Sequence, residues 1–186
     1  MVSTQLYRYE YRVDGTDRVD WVSSNWLAFA RENGAATLTE SSVLGCCLWD
    51  FIADDQTRDL YQSIHSRVRE LRNKVIVPFR CDSPTIRRYM QLSISGAADN
   101  DCLFYESGIT RVEPRSYLAV LDPACTRTDS ALWMCSCCKK ILLEPHGWLE
   151  VEDVSEKLQL NHRKKLPFCQ HTLCRDCRKL MGQSMN

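Results

Sequence analysis

Two cysteine pairs of identical spacing, Cys135-Ser-Cys-Cys138 and Cys174-Arg-Asp-Cys177, stand 35 residues apart in the last third of the chain. No other feature constrains the fold as tightly. A CxxC turn points both sulfurs at one centre, and two such turns offer four thiolates in a tetrahedron, which Zn²⁺ accepts without geometric penalty. Zinc has no redox chemistry of its own and takes soft sulfur readily. Four protein ligands leave no open coordination position, so the metal is structural and its binding energy becomes folding energy for a small module. The ligands read from the spacing are Cys135, Cys138, Cys174 and Cys177. His171, three residues before Cys174, is either a substitute ligand or a group that hydrogen-bonds or packs beside the site. Cys137 faces away from a metal held by its neighbours and reads as packing, and Cys169 is a further spare.

The chain carries eleven cysteines, and its opening, MVSTQLYRYEYRVDG, lacks the apolar core of a signal peptide. No run approaches the roughly 18 apolar residues of a membrane helix. The expectation is a cytoplasmic chain with no membrane partner, where disulfides are disfavoured and paired cysteines bind metal or do redox work. Five cysteines are scattered (Cys46, Cys47, Cys81, Cys102, Cys125), whereas six crowd the last third, which indicates two regions of different chemistry. The formal net charge is zero, so nothing global steers the chain toward nucleic acid or anionic lipid.

Upstream, residues 7–13 alternate apolar with charged side chains and read as a strand, with a turn at 14–17 and a second strand at 18–22 completing a hairpin. Residues 24–34 are bracketed as a short helix by Ser/Asn at the start and Asn-Gly at the end. Residues 43–52 read as short buried helical turns. Asp54-Asp55 then caps a long helix over 56–73 with Leu60, Ile64, Val68 and Leu71 as its apolar stripe. Strands follow at 74–80, 88–95 and 101–111, an apolar stretch at 117–121, and a polar linker at 122–130. The division is one domain at 1–121 and a zinc-binding module at 131–186. Strands around clustered helices make the first an α+β domain, with a five-stranded antiparallel sheet and helices on one face.

That order resembles the PAS fold. Trp26-Leu-Ala-Phe-Ala30, Leu48-Trp-Asp-Phe-Ile52, Pro78-Phe-Arg-Cys-Asp-Ser-Pro84, Arg87-Arg88 and the tail Met134-Cys-Ser-Cys-Cys138 are similar to a family of small bacterial PAS-like proteins with cysteine-rich tails. Tails of the form CxxC…W…E…H…CxxC recur at the ends of such signalling proteins. The resemblance implies a small ligand held between sheet and helices, and a shift passed to a signalling partner protein or to a homodimer. Candidate wall residues are Trp26, Phe29, Trp49, Phe51, Tyr61, Ile64 and Phe79, which would equally well fill an ordinary core. Arg80 and Asp82 read as an ion pair locking a hairpin, or as an anion site.

His65 follows Ile64 on the long helix, and in haem-binding PAS domains a helical His in a comparable region supplies the axial ligand. A lone helical His is more often a boundary residue, so haem is the lesser reading. Gly45-Cys-Cys-Leu-Trp departs from the light-sensing flavin motif. No nucleophile elbow, P-loop or dinucleotide glycine pattern is present, so the chain reads as a sensor and not an enzyme. Two alternatives remain: a haem or redox sensor using His65 or spare cysteines, and a nucleic-acid-binding zinc protein. From residue 131 on, nine Lys and Arg face six Asp and Glu, with Arg163-Lys164-Lys165 as a local basic spot. Four thiolates around Zn²⁺ remove most of that excess, which argues against nucleic acid.

Overall fold

The computed structural model describes residues 8–97 and 100–183; Tyr7, the first residue of the expected first strand, lies outside them. β1 (Arg8–Val13) and β2 (Val19–Val22) form the hairpin. The Asp14 carboxylate organises their turn, accepting the N–H groups of Thr16 and Arg18 at 2.7 and 3.0 Å. Ser23 caps α1 (Ser24–Glu32) by accepting the Trp26 N–H. α2 (Glu40–Val43) and a helical turn at Leu48–Phe51 lead to α3 (Asp55–Leu71), capped by Asp54 through the Thr57 N–H. β3 (Lys74–Arg80), β4 (Ile86–Gly96) and β5 (Leu103–Pro114) complete a five-stranded antiparallel sheet in the order β2-β1-β5-β4-β3.

Period-two alternation sorts the side chains of this sheet. Val75, Val77, Leu92, Ile94, Leu103 and Tyr105 pack with Leu27, Val43, Leu48, Ile64 and Val68 of the helical layer. Ile76 and Phe104, one residue out of phase, stay 43% and 40% exposed on the other face. On α3 Ile64 and Val68 of the expected stripe are buried and Leu60 packs against the core, joined by Thr57 and His65, whereas Leu71 is not. Arg72 ends the helix in a left-handed conformation (φ 51°), and Leu71 on its last turn is left exposed.

The tail builds a second sheet from β6 (Arg127–Cys135), β7 (Ile141–Leu143), β8 (Gly147–Leu149) and β9 (Leu166–Thr172), in the order β8-β7-β6-β9 with β6 and β9 parallel. α4 (Val151–Lys157) precedes β9, and α5 (Arg175–Gln183) follows it. Residues 127–130, read above as linker, are the first part of β6. Leu118, Ala119 and Val120 bury with Met134, Ile141, Val151, Val154, Leu160 and Leu166, so apolar packing crosses the 121 boundary. Trp148 packs against the other cluster, in which the first sheet's core is continuous with Cys135, Cys137, Leu173, Cys174, Cys177 and Met181.

Candidate metal centre

β6 ends at Cys135, and the chain folds back at once into β7. The Cys135 carbonyl accepts the Lys139 N–H at 3.0 Å, and its N–H donates to the Lys140 carbonyl at 2.8 Å. Lys139 takes the left-handed conformation that this tight reversal needs (φ 61°). The second pair straddles a helix start: Cys174 precedes α5 and Cys177 lies in its first turn. The positive end of a helix favours thiolate there. Backbone N–H groups also point at sulfur, Cys174 N–H at Cys135 Sγ and Cys177 N–H at Cys174 Sγ, each at 3.4 Å.

The sulfurs of Cys135, Cys138, Cys174 and Cys177 all lie within 4.8 Å of one another. Tetrahedral sulfurs about 2.3 Å from a zinc ion sit about 3.8 Å apart. The Cys138–Cys174 sulfur separation is 3.8 Å, and all four thiols are free. The cluster is thus spaced for a metal ion. Its electrostatics agree: hydrogen bonds from Cys138 and Cys177 hold the Cys135 thiol well below its ordinary range. Cys138, bonded to that charge, is pushed up to about 12. The sulfurs share protons that a soft cation would replace.

His171 is not in this group. It lies opposite Met134 in the β6–β9 pairing, and burial followed by Lys139 lowers its pKa. Cys169 is also outside the cluster, 4.0 Å from the Val120 carbonyl, its thiol pushed up by burial. Cys137 packs against the first sheet, its Sγ donating to the Pro78 carbonyl at 3.2 Å.

The turn between Cys135 and Cys138 is also the surface by which the tail docks. The Cys137 carbonyl accepts the Arg80 N–H at 2.8 Å, extending edge strand β3. Ser136 Oγ donates at 2.7 Å to Asp54 Oδ2, while Asp54 Oδ1 caps α3. Thr172 Oγ1 reaches Gln56 Oε1 at 3.2 Å. Beside this seam three arginines face three carboxylates. Asp82 pairs with Arg80 and Arg115; Glu150 with Arg80 and Arg87; Glu152 with Arg87 and Arg115. Burial opposes the Arg80 charge, but Asp82 and Glu150 outweigh it and hold the guanidinium above its ordinary pKa. The Arg80–Asp82 ion pair is therefore present, and it extends into an inter-module network.

A cavity of about 490 Å³ lies between the helices and the sheet. Of the candidate wall residues, Trp26, Phe51 and Tyr61 line it, joined by Tyr11, Thr57 and Leu92. Phe29 packs elsewhere, on the Tyr9 ring at 4.3 Å. Ile64 is a fully buried core residue. Trp49 donates its indole N–H to Asp17 at 3.2 Å. Phe79 borders a separate void of about 60 Å³, shared with Thr57, Tyr61, Ser136 and Cys137.

His65 is 1% exposed, and both ring nitrogens are engaged: Nδ1 with Asp17 at 2.6 Å, Nε2 with the Tyr105 hydroxyl. Burial lowers its pKa more than Asp17 raises it, and Arg69 already neutralises that carboxylate at 2.6 Å. The ring is therefore neutral, donating from Nδ1 to Asp17 and accepting from Tyr105 at Nε2. Neither nitrogen is left for iron, which removes the geometric basis of the haem reading. Among the described residues no helix is long and apolar enough to cross a membrane. No protein-family model matches the chain, and no curated protein matches it.

Proposed function

We propose that the chain is a PAS-like sensory or protein-interaction protein whose C-terminal module is held by a structural zinc at Cys135, Cys138, Cys174 and Cys177. It acts by binding rather than catalysis, in the cytoplasm, taking a small molecule in the helix–sheet cavity as input and passing the change to a signalling partner protein or a second copy. The order of two strands, helices and three strands supports the PAS-like reading.

One observation carries the proposal. Asp54 caps α3 with one carboxylate oxygen and holds Ser136 of the metal turn with the other. Thr57 and Tyr61 of α3 line the cavity on one side and the void against that turn on the other. A change in the cavity is thus one helical turn from the metal module. Native mass spectrometry of gently purified protein tests the reading, reporting metal, retained small molecule and oligomeric state together. One zinc per chain supports it; a chain that holds its native charge-state distribution without metal contradicts it.

A further inference from the structure

We infer that the helix–sheet cavity selects a neutral, mainly apolar molecule bearing a carbonyl-type oxygen acceptor; this rests on reading the cavity as the sensory pocket. The volume of about 490 Å³ is within the range of small-molecule sites, and among the described residues no charged side chain lines it. An anionic ligand would leave water for a wall without a counter-charge, a penalty that excludes carboxylates and phosphates. The wall is nevertheless not featureless. Thr57, only 8% exposed, has a buried Oγ1 with no hydrogen-bond partner among the described residues. Tyr11 and Tyr61 add two phenols, and Trp26 adds an indole N–H.

A buried hydroxyl like that of Thr57 is normally paired, and an uncharged acceptor on the ligand would pair it and accept from the phenols as well. Burial raises the pKa of both phenols, so they remain O–H donors throughout the physiological range. Phe51, 51% exposed, lies at the rim, where an apolar chain can pass. The rest of the lining, from Val19 and Leu38 to Leu48 and Leu92, accepts hydrocarbon.

The test compares methyl nonyl ketone, decanoate and undecane against the zinc-loaded full chain at neutral pH by isothermal titration and ligand-observed NMR. The ketone is expected to bind one per chain, with decanoate at least about tenfold weaker. Tyr61→Phe and Thr57→Val should each weaken the ketone by about three- to tenfold, the worth of one hydrogen bond, without changing undecane uptake. Ala30→Phe, which fills the cavity, should abolish binding of ketone and undecane alike, and unchanged thermal midpoints certify that the variants fold. Decanoate binding as tightly as the ketone, or ketone affinity indifferent to both hydroxyl removals, overturns the ligand class while the pocket reading stands. Absence of binding by all three probes overturns the pocket reading itself.

Discussion

Asp82 is the most enclosed charge in the seam between sheet and tail, its side chain 1% exposed against 7% for Arg80 and Arg115. It accepts from Arg80 Nε at 3.3 Å and Arg115 Nη1 at 3.1 Å, and from Arg80 Nη2. Asp82→Asn keeps the shape and removes the charge, leaving three arginines facing two carboxylates whose side chains are 32% exposed. Removing one partner of a buried pair costs about 3–5 kcal/mol. Asn retains one acceptor oxygen, and Glu150 and Glu152 compensate in part, which places the loss near the lower figure, about 3 kcal/mol. For a chain of this size that lowers the thermal midpoint by about 6–12 °C. The assay is urea and thermal unfolding of zinc-loaded protein, with Asp20→Asn as the control. Asp20 pairs with Arg12 at 2.9 Å, with side chains 37% and 31% exposed, and such a pair is worth about 0–1 kcal/mol. If Asp82→Asn costs no more than Asp20→Asn, the reasoning about a buried network fails.

Three further outcomes follow from the geometry. Cys174→Ser should abolish zinc retention and unfold the tail, read by metal analysis and circular dichroism, whereas Cys169→Ser should leave zinc content unchanged. Ser136→Ala should cost about 1 kcal/mol by urea unfolding, because it frees one oxygen of the Asp54 cap. The His65 pKa, followed by NMR, should fall below its ordinary 6.5, burial being the first cause. Since the unfolded state takes up that proton first, the His65 contribution to stability is complete above 6.5 and is lost as the pH drops from there toward the folded value. His65→Gln should flatten the stability slope on that acid side, and an unchanged slope would contradict a neutral buried imidazole.

The four-cysteine cluster was legible because each pair is local: two residues between sulfurs are enough to aim both at one point. β3 was legible for the same kind of reason, since Val75 and Val77 alternate with exposed neighbours. The start of β6 was not, because Thr128, Asp129 and Ser130 carry no strand pattern; its partner is β9, a parallel strand whose paired residues lie 37 to 39 positions away. His65 looked like a lone helical His because Asp17 and Tyr105 lie 48 and 40 residues from it in sequence. Tyr11 and Thr57 were missed as cavity wall for a related reason. A tyrosine in an amphipathic strand and a threonine in a helix's first turn announce no pocket until the sheet and α3 meet. The docking of Ser136 onto the Asp54 cap spans 82 residues and joins two local motifs that were each readable alone.

The turn between Cys135 and Cys138 fastens the tail to α3 and to edge strand β3. Amide hydrogen exchange, with and without a zinc chelator, tests it most directly. Chelation is expected to deprotect three regions together: residues 131–183, the first turn of α3 from Asp55, and the Arg80 amide that donates to Cys137. Exchange confined to the tail, with the α3 start and Arg80 as protected as before, would contradict it.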